Sequence, residues 1–421
     1  MSARNSNEEL ARTYGTPLYV YDLSRVRAAR RDLFRWLPEG VEVYYAFKAN
    51  PHPDLVRALR EGPGPGCRAE ISSTGELATA LEAGHTGEEI LYTGPGKTPG
   101  ELREAVRGGL RRFSAESLSD LEHIGAAAVA EGVVVDCLLR INSATASAAS
   151  GVRMTGKASQ FGIDSETVGD VAAALRNVPG TSVAGLHLFS QSNAADEEAL
   201  IGEFRHTIET ATRLQEELRV PLRMLDIGGG FTAPYGRVGD RAAYPKLAGE
   251  LSAELDLRLP GWREGRPRIA VESGRYLVGD SGTLVTSVSN VKESRGRKFV
   301  ILDGGINVFG GMSGLGRLLP VSVQVDTGEP TEQASLVGPL CTPGDVLGRD
   351  VTVPALAPGD LVQIPNTGAY GPSASLQSFL GRPSPVEVVI DDDGSGDGSK
   401  VVVSVSRIER SRTYTERGAA A

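Results

Sequence analysis

Val41-Glu42-Val43-Tyr44-Tyr45-Ala46-Phe47-Lys48-Ala49-Asn50 is an apolar, aromatic run with one amine where it ends. A continuous β-branched and aromatic stretch closed by Asn50-Pro51 reads as a buried parallel strand, and barrels of such strands carry their chemistry at the C-terminal strand ends. Lys48 stands at that end, where an amine can condense with an aldehyde. A lysine that merely closes a strand in solvent is the competing reading. The rest of the chain has to decide between them.

Outward from that run, as far as about residue 277, short apolar stretches alternate with amphipathic or alanine-rich ones. Residues 41–47, 90–92, 133–141, 183–188, 223–227 and 268–271 read as strands. Residues 53–60, 73–83, 117–130, 166–175, 197–218 and 244–255 read as the helices between them. Alternating β and α implies a parallel sheet, and this many units in about 250 residues favours a closed (β/α)8 TIM barrel over an open doubly wound sheet. Beyond residue 277 the runs 285–291, 298–302, 320–325, 334–337, 361–364, 386–390 and 401–405 are strand-like and separated by Gly, Pro and Asp turns, which predicts a second, all-β (sandwich or barrel) domain. The acidic Gly/Ser segment 391–400 reads as a solvated hairpin loop rather than a metal site, because it lacks a closing glutamate at calcium-loop spacing.

The 421 residues, 40% hydrophobic and 23% charged, are enough to bury more than one core. A net charge of -9 argues against a nucleic-acid or anionic-membrane surface, and no apolar stretch approaches the roughly 20 residues that span a bilayer. The first nine residues carry no hydrophobic secretion signal, and the three cysteines, Cys67, Cys137 and Cys341, cannot build a disulfide framework. A cytoplasmic location is expected.

Three further stretches could carry chemistry. In Leu225-Asp226-Ile227-Gly228-Gly229-Gly230-Phe231 the glycines let backbone amides close around an anion, or simply make a tight turn. In Val271-Glu272-Ser273-Gly274-Arg275-Tyr276 a carboxylate could hold a heteroaromatic nitrogen protonated and an arginine could bind phosphate, or the two could form a local ion pair. Gly185-Leu186-His187-Leu188-Phe189-Ser190-Gln191 places an imidazole at a strand end with a hydroxyl three residues on, where a core histidine is the bland alternative. No metal site is expected.

Taken in order with Ala69-Glu70-Ile71-Ser72-Ser73-Thr74-Gly75-Glu76-Leu77, Val337-Gly338-Pro339-Leu340-Cys341 and Thr367-Gly368-Ala369-Tyr370-Gly371, these stretches resemble the pyridoxal-phosphate-dependent fold-type III decarboxylases, the diaminopimelate and ornithine decarboxylase group. The resemblance runs from about Gly15 to Val405. It implies a cofactor-binding barrel over 24–277 and a β-domain made of 1–23 plus 278–421, with the N-terminal strand joining the latter. It also implies a homodimer with shared active sites. Carried over motif by motif, Lys48 would hold pyridoxal 5'-phosphate, His187 would stack on its ring and Glu272 would pair with the pyridine nitrogen. Ser190, Gly228, Gly229, Gly230, Arg275 and Tyr370 would bind its phosphate. Cys341, from the partner subunit, would protonate the carbanion left by loss of carbon dioxide. A glutamate at 272 keeps the ring nitrogen protonated and so favours decarboxylation over racemisation.

The pattern departs from the primary-metabolism members at the substrate end. Asp303-Gly304-Gly305 is followed by Ile306-Asn307-Val308-Phe309, without the Arg-Pro-x-x-Tyr of diaminopimelate decarboxylases. Cys341 is followed by Thr342, where those enzymes have glutamate and ornithine decarboxylases have aspartate. Cys341-Thr342-Pro343, Arg153-Met154-Thr155-Gly156-Lys157 and the ending 373–383 look like a specialised branch that acts on amino-acid moieties of siderophore or antibiotic intermediates, some held on a carrier protein. Arg153, Arg317 and Thr342 are the candidate substrate contacts. The expected activity is removal of the α-carboxylate of a non-standard amino acid or amino-acid moiety in a biosynthetic pathway. The alternatives are diaminopimelate decarboxylase, a racemase, or a catalytically silent regulatory homologue.

Overall fold

A computed structural model describes residues 3–143, 152–153, 158–189, 191–310, 321–392, 399–409 and 411. The chain divides into two compact units. One comprises Leu23–Gly282 with Asn366–Ser373, the other Met1–Asp22, Thr283–Pro365 and Ala374–Ala421.

In the first unit eight parallel strands, Glu42–Ala46, Arg68–Ile71, Ile90–Tyr92, Arg112–Ala115, Val135–Asn142, Thr181–Leu188, Met224–Asp226 and Arg268–Ser273, each pair with their neighbours. The last pairs with the first, Val271 opposite Val43 and Ser273 opposite Tyr45, so the sheet closes into a barrel. Tyr44, Leu91, Leu138, Ala184, Met224 and Ala270, at most 4% exposed, form one buried cluster contributed by six of the strands. A packed interior leaves chemistry only to the strand ends and the loops after them. The helices between strands start where the sequence supplies a cap. Ser73 and Ser117 accept from the amides of Glu76 and Asp120, and Thr98 and Glu101 make a reciprocal capping box with Pro99 in the first turn. Each such cap stabilises its helix by about 1 kcal/mol. The segment Asn366–Ser373, which carries Tyr370, groups with the barrel rather than with the strand-rich unit that surrounds it in sequence.

The second unit is an eight-stranded sheet. Leu18–Asp22 runs parallel to Val386–Asp392, with Val20 opposite Val388, and Leu18, Val20, Val285, Val386, Val388 and Ile390 form its core. Residues 321–325 form no strand, contrary to their apolar pattern, although the Val323 amide still donates to the Leu347 carbonyl at 2.9 Å. Among the described residues no helix is long and apolar enough to cross a membrane.

Candidate active site

Lys48 lies in the single 3-10 turn Phe47–Ala49 that follows the strand Glu42–Ala46. Its neighbours Phe47 and Ala49 are buried, while its own side chain is half exposed and opens into a cleft with Asn193, Gly230, Glu272, Arg275 and Tyr370. The apolar run therefore anchors the turn and leaves the amine as the polar group facing the cleft. Lys48 Nζ lies 3.2 Å from Glu70 Oε2, and Glu70 is itself buried and accepts from the Thr93 hydroxyl. Burial alone would lower the pKa of this amine. The carboxylates of Glu70 and Glu272 outweigh that effect and raise it above the ordinary lysine value.

The ends of three adjacent strands converge beside it. Asp226 pairs in register with His187, and the next strand brings Glu272. His187, Asp226 and Glu272 are buried, with one donor or acceptor atom of each inside 4.8 Å of the others. His187 Nδ1 is 2.8 Å from the Ser114 hydroxyl, and its Nε2 is 3.2 Å from Glu272 Oε1. The Nε2–Oε1 approach is misaligned, so among the described residues His187 Nε2, Glu272 Oε1 and Asp226 Oδ2 have no hydrogen-bond partner. Three orphaned buried polar atoms converging on one spot call for a further donor there. Burial opposes the ionised form of Glu272, yet the His187 imidazole and the Lys48 ammonium hold it down at about 2. Burial, then repulsion from Glu272, pushes Asp226 up to about 7. Burial works against the His187 cation, but Asp226 and Glu272 raise its pKa overall.

The glycine run turns beneath these groups. The Gly228 amide donates to Asp226 Oδ1 at 2.9 Å, and the Glu272 amide donates to the Gly228 carbonyl at 2.8 Å. Gly228 has φ +72°, and a Cβ there would stand 2.6 Å from the Leu188 carbonyl oxygen. A Cβ on Gly229 would stand 2.3 Å from the Glu272 carbonyl oxygen. Only glycine fits at these two positions, and the next residue of the run, Gly230, lines the cleft. Opposite it, the Arg275 guanidinium lies 4.8 Å from the centre of the Tyr235 ring and 4.9 Å from that of Tyr370. Tyr370 takes the left-handed conformation at φ +52°, held by its amide donating to the Ala49 carbonyl at 2.7 Å and by the Tyr235 hydroxyl donating to its own carbonyl at 2.9 Å.

Lys48, His187, Gly228, Gly229, Gly230, Glu272, Arg275 and Tyr370 are thus brought together in the barrel unit. Cys341 and Thr342 belong to the other unit, where Cys341 is exposed. Their loop is fixed by Asp345, whose buried carboxylate accepts from the amides of Ile306 and Leu340, both at 2.7 Å. Ser190 and Arg317 lie outside the described residues, and so does the side chain of Arg153, whose backbone pairs with Gln191. The sequence reading gave no role to Glu70, Ser114 or Asp226. Glu70 and Asp226 sit inside motifs it quoted, but their neighbours across the strands, which give them their place in the site, are tertiary.

Residues 23–279 match the family model described as "Pyridoxal-dependent decarboxylase, pyridoxal binding domain". The chain is 33% identical over 392 residues to an L-glutamyl-[BtrI acyl-carrier protein] decarboxylase of Niallia circulans, covering 90% of each. It is 32% identical to a diaminopimelate decarboxylase of Methanothermobacter thermautotrophicus, over 91% of this chain and 88% of the relative. Among solved structures, a diaminopimelate decarboxylase from Helicobacter pylori complexed with L-lysine superposes with a TM-score of 0.79 at 26% identity, over 94% of this chain and 95% of that one. With a family model over most of the barrel, relatives above 30% identity along nearly the full length, and a lysine, a buried glutamate and a glycine cradle at the strand ends, the chain belongs to the pyridoxal-dependent decarboxylases of the ornithine, arginine and diaminopimelate group.

Proposed function

We propose that this enzyme removes the α-carboxylate of a non-standard amino acid, or of an amino-acid moiety held on a carrier, in a biosynthetic (secondary-metabolite or siderophore) pathway. Pyridoxal phosphate, when bound, supplies an electron sink for the pair left on the α-carbon. The residues present fit that group. The orphaned acceptor Glu272 Oε1, held ionised by His187 and Lys48, suits a ring N–H donor. The Gly228–Gly230 backbone and the Arg275 guanidinium suit a phosphate. Lys48 would be the attachment point, His187 would cover one face of the ring, and the Tyr370 hydroxyl, with Ser190 outside the described residues, would complete the phosphate site. Lys48 starts as an ammonium beside Glu70 and Glu272, so it must lose a proton before it can attack an aldehyde, and Glu70 at 3.2 Å is placed to take it. Cys341, in the family's manner, delivers a proton to the α-carbon from a partner subunit of a cytoplasmic homodimer.

The single observation behind the substrate class is the residue after the cysteine. Thr342 offers no charge where the primary-metabolism members place a carboxylate to meet a distal ammonium, and the residues after Gly305 contain no arginine before Gly310. A relative whose substrate is a carrier-bound glutamyl group supports the same direction. A carbon dioxide release screen over acidic, basic and carrier-tethered amino acids tests the reading. Turnover of meso-diaminopimelate at a rate matching the best substrate would replace it with diaminopimelate decarboxylase, the reading that the 32% identical relative keeps open.

A further inference from the structure

The barrel mouth holds an unequal number of charges. Lys48 pairs with Glu70 at 3.2 Å, and Arg140 pairs with Glu116 at 3.1 Å, so those four cancel. What remains is His187 against two carboxylates, Glu272 and Asp226, all inside 4.8 Å and all buried. One imidazolium balances one of them. The other, Asp226, enters no ion pair among the described side chains, and its Oδ2 has no hydrogen-bond partner. An uncompensated buried carboxylate is costly and is expected to take up a proton.

We propose that Asp226 is a positioning residue that supplies the second negative charge for a two-cation site. When the cofactor's ring nitrogen is protonated against Glu272, Asp226 ionises and balances the His187 imidazolium, giving two cations against two carboxylates. The inference rests on the reading of Glu272 as the partner of the ring nitrogen. Without Asp226, the imidazolium and the pyridinium compete for a single carboxylate, and one of them goes neutral. Asp226 is well placed for this, because its backbone is in register with His187 and its other oxygen is already occupied by the Gly228 amide at 2.9 Å. The Gly228 bond restrains the side chain, and a carboxylate oxygen of Asp226 lies within 4.8 Å of the nearest donor or acceptor atoms of His187 and Glu272. The proton that Asp226 gives up moves to the ring nitrogen or to solvent, so no other reactant is needed. In the absence of that second cation, burial and then repulsion from Glu272 raise the Asp226 carboxyl.

The test is 15N NMR of the holoenzyme carrying ring-labelled pyridoxal phosphate and labelled histidine, in the wild type and in Asp226→Asn. Asparagine keeps an Oδ1 acceptor for the Gly228 amide. In the wild type at pH 7.5 both the ring nitrogen and the His187 imidazole are expected to be protonated. In Asp226→Asn one of the two becomes neutral and the cofactor dissociation constant rises at least tenfold, while Asp226→Glu retains both protons. A wild-type holoenzyme with only one of the two sites protonated overturns the proposal, even if neither variant retains the cofactor. So does an Asp226→Asn holoenzyme with both protonated from pH 6 to 9. A ring-nitrogen signal that does not change in Glu272→Gln refutes the Glu272 reading instead, and is thereby told apart.

Discussion

Removing the charge of Asp226 should stabilise the cofactor-free protein, although the residue is buried and lies within the candidate site. Its carboxyl is displaced from 3.8 in the unfolded chain to about 7 in the fold, by burial first and by Glu272 second. A group whose folded pKa is raised contributes stability that is complete below its unfolded pKa and lost as pH rises through the folded one. Between about pH 4 and pH 7 the wild-type apoprotein should therefore lose about 1.4 kcal/mol per pH unit at this site, or about 4 kcal/mol in all. Asp226→Asn is neutral at every pH and keeps the Gly228 contact, so it escapes that loss. The variant should be about 4 kcal/mol more stable at pH 7.5, and only about 1–2 kcal/mol more stable at pH 5. Scanning calorimetry of the two apoproteins across pH 5 to 8 reads this as a melting-temperature difference that opens by several degrees toward high pH. With cofactor bound the order should reverse, because Asp226 then has a countercharge. A melting-temperature difference that is constant with pH, or that favours the wild-type apoprotein at pH 7.5, would refute the reasoning. Catalytic sites commonly hold such groups at the expense of the empty fold.

Reductive trapping of the holoenzyme with borohydride should place the label on Lys48, and peptide mapping that finds it on another lysine would end the account. Glu70→Gln removes the chief charge that raises the Lys48 pKa, so the pH at which cofactor attachment is half complete should move down, as followed by visible absorbance. Gly229→Ala sets a Cβ 2.3 Å from the Glu272 carbonyl oxygen and should cost about 2 kcal/mol or more together with cofactor affinity. Gly202→Ala, in the helix Glu197–Leu218 with nothing within 4 Å, should instead stabilise the fold by about 0.5–1 kcal/mol, read as a slightly higher melting temperature. Asp345→Ala leaves the amides of Ile306 and Leu340 unmet and should open the 338–345 loop to proteolysis, with a loss of about 2–4 kcal/mol. Cys341→Ala should slow product formation without changing the absorbance of the bound cofactor, and an unaltered rate and product would remove the thiol from the mechanism.

Much of the barrel could be read along the chain, because strands such as Glu42–Ala46 and Thr181–Leu188 are built around apolar runs and helices between them begin at Ser, Thr or Asp caps. Arg68–Ile71 and Arg112–Ala115 were not legible. Four residues that include arginine, glutamate or serine show neither alternation nor a continuous apolar run, and only closure of the barrel makes them strands. Glu70 and Ser114 ride on those two strands, so their parts in the site were hidden with them. Lys48 and Glu272 stood out as single charges at the end of apolar runs. Asp226 did not, because what distinguishes it is the presence of His187 and Glu272 across two strand pairings, which spacing in sequence cannot report. Tyr370 was found through its motif, while its φ of +52° and its bond to Ala49 are tertiary facts.

That bond, together with the one from Asn50 Nδ2 to the Gly368 carbonyl at 2.9 Å across 318 residues, ties the turn bearing Lys48 to a stretch made long after it along the chain. A ribosome that stalls or terminates before codon 366 releases a chain that has every barrel strand but no clasp over position 48. Partial products of synthesis should accordingly bind the cofactor poorly, and competence to hold it should appear only in chains that extend past residue 370.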